Sequence, residues 1–141
     1  MSNERTETKY IIVHASATKP SENLTASDIK ARDRKDGWLS CRFHKVITRD
    51  GSIEDGRDIK IAGAHIKNND KVSNANSVGI CLVGGKSFDD KPDCNFTLKQ
   101  YNALDELVSQ LRKDYKKAVV IGHRDVADVL SPHFDVSELL R

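Results

Sequence analysis

Two histidines stand where a strand-built site would hold a metal: His14 in IIVHASAT and His123 in VVIGHRDV. Each follows an apolar, β-branched run, and a buried strand is a rigid mount whose end opens into a cleft. Imidazole nitrogen is a common zinc ligand, so the two histidines read as half of a metal site. Taken singly, each also reads as a structural histidine with its hydrogen bonds satisfied. Ser131, His123 and Asp125 have the residue types of a nucleophilic triad. No nucleophile elbow surrounds Ser131, however, and spacing in sequence sets no geometry. Asp125 reads instead as a hydrogen-bond partner in the turn after its strand. Cys41, Cys81 and Cys94 are odd in number and irregular in spacing. They match neither a disulfide framework nor a CxxC knuckle and read as small reduced hydrophobes.

The elements that must position these residues follow from the apolar pattern. Residues 9–15 (KYIIVHA), 78–83 (VGICLV) and 118–121 (AVVI) read as buried strands. The segment 43–49, the Asp50-Gly51 pair and the run SIEDGRD read as a hairpin, because Asp-Gly suits a tight turn with positive φ. A helix is predicted from Thr25, with Asp28 completing a capping box and Gly37 ending it. From Thr97 to Lys116 a stripe of Leu98, Tyr101, Leu104, Leu107, Val108, Leu111 and Tyr115 predicts a longer helix, capped by Thr97 and Gln100. A short helix at about 135–140 closes the chain. The expected fold class is α/β: a central mixed β-sheet flanked by helices, in two or three layers.

The bulk numbers bound the function. A chain of 141 residues suits one domain, here 1–141 with residues 1–7 expected to be flexible. Twenty-three basic against 21 acidic residues leave a net charge of +2. That balance argues against general nucleic-acid binding and against membrane-surface binding. No apolar run is long enough for a membrane span, and the first residues are no secretory signal, so a cytoplasmic monomer is expected. Action on a cell wall would need release by another system.

The segments IIVHASATKPS, GWL, FHKVITRDGSIEDGRD, AGAHIKNN, NANSVGICLVGG, NFTLKQ and GHRDVA followed by SPHFD resemble the zinc-dependent N-acetylmuramoyl-L-alanine amidases. That family includes the amidase-type phage lysozymes and the peptidoglycan recognition proteins. The likeness covers nearly the whole chain, in order, and is nearest to the compact phage and prophage amidases. It implies the phage-lysozyme and peptidoglycan-recognition fold. It also implies a zinc ion with three protein ligands, whose bound water attacks the amide between muramic acid and L-alanine. By this resemblance the first two ligands are His14 and His123, and the third position, a Cys or Asp before Pro, is held by Ser131.

The departures from the family pattern are chemical. A serine hydroxyl is a weak, neutral donor where the family supplies a thiolate or carboxylate. His133, two residues on, is a possible substitute ligand or a loop histidine. The family tyrosine of GYH falls on Phe43, within Arg42-Phe43-His44, and a lysine that faces the oxyanion falls on Val129. A Trp-His pair at the end of the first helix reads here as Arg32-Asp33. His65, Trp38 and Arg42 are placed along the groove, Trp38 with Cys41 on its core side. His65 either touches ligand or is a solvated loop residue, and His44 is expected to be partly buried in a strand. Arg32, Arg34, Lys35 and Arg42 add positive charge close to the groove, as a solvated face or as a docking patch.

Loss of one ligand, the tyrosine and the lysine together predicts loss of hydrolysis, with zinc weak or absent. The expected function is then that of a pseudo-amidase binding peptidoglycan or a protein. A phage polymerase is one example by resemblance, because some phage lysozymes bind one. The alternative is an active amidase with a non-standard zinc site that uses His133.

Overall fold

The computed structural model describes residues 4–125 and residue 136. Its elements run β1 (Tyr10–Ala15), α1 (Ala26–Lys35), β2 (Lys45–Ile47), β3 (Ile53–Asp55), β4 (Ser77–Leu82), α2 (Leu98–Asp114) and β5 (Val119–Gly122). The sheet order is β3-β2-β4-β1-β5. All neighbours are parallel except the β2–β3 hairpin. The α/β fold with a central mixed sheet is therefore present, and the expected strands lie within two residues of their forecast places, except that β3 ends at Asp55, three residues short of the run SIEDGRD.

Both faces of β1 and β4 are covered, which is why their sequences are apolar throughout rather than alternating. Ile11, Val13, Val78, Ile80 and Leu82 pack with Leu104, Leu107, Val108 and Leu111 of α2. The intervening positions turn to the other face, where Cys81 joins Val46, Phe43 and Ile29 of α1 in a second cluster. Helices on opposite faces make the arrangement three-layered. Val136 is buried in the α2-side cluster. The rest of the expected terminal helix lies outside the described residues.

Local chemistry sets the element ends. Thr25 and Asp28 form the reciprocal capping box of α1, and Gly37 follows its end with φ 104°. The hairpin turns at Gly51, φ 86°, whose N–H bonds the Thr48 carbonyl at 2.9 Å. Leu98 departs from the expected stripe: as the first residue of α2 it is 74% exposed, and Gln100 is buried instead. Within the stretch 1–7, Arg5 and Thr6 make specific contacts: their N–H groups donate to the carbonyls of Lys60 and Ala75.

Gln100 ties the layers together. Its Nε2 donates to the carbonyls of Ile47 (3.2 Å) and Val83 (2.8 Å), at the ends of β2 and β4. Its Oε1 accepts from Thr97 N (3.0 Å) and Arg49 Nη1 (3.2 Å). Gln100→Ala removes the cap partner and the side-chain bonds to the Ile47 and Val83 carbonyls, which keep Val83 N and Arg49 Nη1, respectively, as donors, and should cost roughly 2–3 kcal/mol. Thr97→Ala removes the cap and the hydroxyl's bond to the Arg49 carbonyl, and should cost about 1 kcal/mol. Urea denaturation of the two variants checks this ordering, and equal midpoints would refute it.

Candidate functional site

The site lies on the α1 face of the sheet. Ile11 and Val13 point to the α2 side, so His14 takes the opposite face, where it is 3% exposed. β5 runs parallel to β1 with Gly122 opposite Val13, which delivers the next residue, His123, beside His14. The two imidazoles lie with ring centroids 4.4 Å apart and tilted by 52°. Asp125 Oδ2 accepts from Gly122 N at 2.8 Å, which is the turn-stabilising role expected of it. Phe43 presents an edge to His14, with centroids 5.2 Å apart.

The third imidazole is His65, 1% exposed and perpendicular to His14. It is neither a solvated loop residue nor a mere lining group, because its Nδ1 lies 2.8 Å from His14 Nε2. The directions of the connected bonds follow from their last member. The Ser73 carbonyl can only accept, so Ser77 Oγ donates to it at 2.7 Å. Ser77 Oγ then accepts from His65 Nε2–H at 3.2 Å, leaving Nδ1 to accept from His14 Nε2–H. This relay fixes the tautomers and leaves His14 Nδ1 as a basic nitrogen. Such an outer partner is what orients a ligating histidine.

Space for the relay is cleared by glycine. A Cβ on Gly79, in the middle of β4, would lie 2.6 Å from His65 Cγ, and one on Gly63 would lie 2.7 Å from His65 Cδ2. His44, expected to be partly buried, is wholly so. Its Nδ1 accepts from Gly79 N (3.0 Å) and its Nε2 donates to the Ile61 carbonyl (2.7 Å).

These rings border a cavity of about 360 Å³, lined by His14, His65, His123, Phe43, Arg32 and Arg42 together with Asp33, Asp36, Ala15 and Ser16. Of the expected basic cluster, Arg32 and Arg42 reach it, whereas Arg34 and Lys35 are exposed on α1. Asp33 is 1% exposed, and its Oδ2 accepts from Arg42 N at 2.9 Å. Trp38 is 43% exposed rather than core; its ring lies beneath the Arg42 guanidinium at 4.9 Å. Cys41 and Cys81 are buried, whereas Cys94 is exposed with its sulfur 3.3 Å from the Tyr101 hydroxyl.

Burial, first, and then neighbouring positive groups hold the imidazoles below their ordinary range. Burial dominates at His14, followed by His65, His123 and Arg42. At His65 burial comes first, then His44, His123, Arg42 and Arg57. His123 is lowered by burial and Arg42. His44 is lowered to about 4, mainly by burial. The rings are therefore neutral near pH 7. Val129, Ser131 and His133 lie outside the described residues. Among the described residues no group of three His, Cys, Asp or Glu side chains is placed to hold a metal.

Two outcomes are expected. Each lowered histidine takes up its proton first in the unfolded chain, so its stabilising contribution is intact above about pH 6.5. That contribution is lost as pH falls through 6.5 toward the folded value, at up to about 1.4 kcal/mol per pH unit for each histidine. For His44 the window runs from 6.5 down to about 4. Thermal midpoints should drop between pH 7.5 and 5, and a flat profile would count against the buried neutral imidazoles. Gly79→Ala forces His65 aside and should destabilise the protein by about 1–3 kcal/mol. A Gly79→Ala protein as stable as the parent in urea would show that the crowding is relieved elsewhere.

Comparison with known proteins gives the setting. The N-acetylmuramoyl-L-alanine amidase family matches residues 4–135. The endolysin of Enterobacteria phage K11 is 39% identical over 138 residues, covering 98% of this chain and 89% of its own. The endolysin of Escherichia phage T7 is 41% identical over 133 residues, covering 94% and 85%. A Drosophila recognition protein, PGRP-LB, solved as a tyrosine-to-phenylalanine variant in complex with tracheal cytotoxin, superposes with a TM-score of 0.74. Its identity is 24%, over 94% of this chain and 79% of its own. With a family match along nearly its whole length and phage relatives at about 40% identity, the chain belongs to the N-acetylmuramoyl-L-alanine amidase family and is a homologue of the phage endolysins.

Proposed function

We propose that this chain holds peptidoglycan in the groove bordered by His14, His65, His123, Arg32 and Arg42 and does not cleave it. The observation that carries the reading is Phe43. Its ring stands edge-on to His14, at the position the family pattern assigns to a tyrosine, and carries no hydroxyl to orient water or donate to an oxyanion. The carbon framework of the wall is retained and its proton donor is gone.

The donor set leads the same way. In the family, zinc supplies a water of lowered pKa and a Lewis acid for the amide carbonyl. Here the candidate ligands are two neutral imidazoles, His14 and His123, with a serine hydroxyl, Ser131, at the third position. A neutral hydroxyl compensates no charge, and the permanent cation Arg42 borders the same cavity. This set does not fit zinc. Val129, in place of the family lysine, removes the other positive group from the reaction.

Peptidoglycan is favoured over a protein partner because the described residues border an open groove and the fold carries such ligands elsewhere. The PGRP-LB variant with a phenylalanine for a tyrosine was solved with tracheal cytotoxin bound. A hydrolytic reading, with His133 completing the metal site, has two supports: the His14 relay is intact, and the relatives at about 40% identity are endolysins. It still needs replacements for the tyrosine and the lysine. No helix among the described residues is long and apolar enough to cross a membrane.

The purified protein should sediment with insoluble peptidoglycan, contain less than stoichiometric zinc and release no dye from labelled cell wall. Combining Ser131→Cys, Val129→Lys and Phe43→Tyr should restore zinc binding. Stoichiometric zinc with dye release from the parent protein would sink the proposal. Failure to sediment, with specific capture of a host protein, would move the function to a protein partner.

A further inference from the structure

Resting on the reading of the groove as a peptidoglycan site, we propose that Arg32 and Arg42 form a carboxylate-binding subsite within it. The subsite selects peptide stems with free carboxylates over their amidated forms. Both residues are departures from the family pattern: Arg32 falls where it has tryptophan, and Arg42 falls on the glycine of GYH. Each guanidinium is anchored by one hydrogen bond and keeps other donors. Arg32 Nη1 donates to the Ser16 carbonyl at 2.7 Å, and Arg42 Nε donates to the Ala64 carbonyl at 2.8 Å. A guanidinium carries five N–H donors in a planar fork, so these bonds set its direction without exhausting it.

Arg42 is further fixed by stacking. Its guanidinium carbon lies 4.9 Å from the Trp38 ring centre and 5.8 Å from that of Phe43. With rings against its face, the guanidinium has its edge left for an acceptor. The anchor for Arg32 is built as well. Ser16 lies in the loop after β1, held by Gly84 N donating to Ser16 Oγ at 2.9 Å and by Thr18 N donating to Gly84 O at 3.0 Å. Preorganised donors of this kind lose little freedom on binding.

The other charges on the cavity leave the two cations available. Among the described residues, no ion pair within 4.0 Å involves Arg32 or Arg42. Asp33 is buried and engaged by the Arg42 backbone N–H, while Asp36 is exposed at the end of α1. A planar anion meets two charged forks, and an amide in the same place offers a single neutral acceptor and two donors facing donors.

Isothermal titration calorimetry separates the possibilities. The probes are a soluble N-acetylmuramoyl tripeptide with free carboxylates and the same molecule with those carboxylates converted to amides. The free acid should bind about tenfold or more tightly than the amide, as charge-assisted pairs imply. That preference should shrink as salt is raised. R32Q/R42Q should abolish the preference, and R32K/R42K, which keeps charge but loses the forks, should retain part of it. Circular dichroism confirms folding, and if the glutamine variant does not fold, the two probes on the parent protein still decide. Equal affinity for both probes overturns the carboxylate subsite while leaving the groove reading standing. No binding of either probe overturns the groove reading itself.

Discussion

The hydrogen bond between His14 Nε2 and His65 Nδ1, buried between a strand and the loop before the next, is the constraint around which the site is arranged. An imidazole removed from water must place both of its nitrogens, and an unplaced one costs on the order of 1–3 kcal/mol. Here one ring answers for the next: His14 donates to His65, His65 to Ser77, and Ser77 to the Ser73 carbonyl. The 3-10 turn at Asn74–Asn76, the entry to β4 and the glycine in its middle all serve this line of bonds. His44 solves the same problem separately, between Gly79 N and the Ile61 carbonyl. The linked rings make a stiff wall, held by the protein's own bonds, with His14 Nδ1 left facing away from the relay.

That neutrality decides how charge is distributed in the groove. Arg42 lowers the proton affinity of His14, His65 and His123 alike, which places one fixed cation within electrostatic reach of all three rings. A dication between His14 and His123 would share that field, and among the described residues no group of three His, Cys, Asp or Glu side chains is placed to hold it. A carboxylate faces the opposite balance. A positive field of this kind works against a bound dication and favours an anionic peptide.

How much of this was legible in the sequence depended on whether the signal was local. The capping boxes at Thr25 and Thr97, the Asp50-Gly51 turn and the buried strands are written in short stretches, and they were found where periodicity put them. His14 and His123 were identifiable because each ends an apolar strand; their adjacency required the β1–β5 pairing, which no local pattern reveals. His65 was ambiguous because its partners, Ser77 and His14, are 12 and 51 residues away. One signal could have exposed it: Gly79 interrupts an otherwise β-branched strand, and a mid-strand glycine marks a close approach. Trp38 was misplaced for a related reason. A lone tryptophan reads as core, and only the fold shows that it underlies an arginine on the groove's edge.

Phe43 shows how fold and reaction separate in such a protein. Its ring is 4% exposed and packs with Ile29, Cys41, Val46 and Cys81, so an aromatic residue there is demanded by packing on the α1 side of the sheet. A hydroxyl on that ring would add a few cubic ångströms at the cavity edge and would contribute chemistry rather than stability. A ring without it is compatible with the packing around Phe43 and with the His14–His65 bond. The buried imidazoles are different, because a change at His65 strands partners on two sides. The site therefore degrades in a physically ordered way: groups needed only for the reaction can be lost first, and groups the fold also depends on persist.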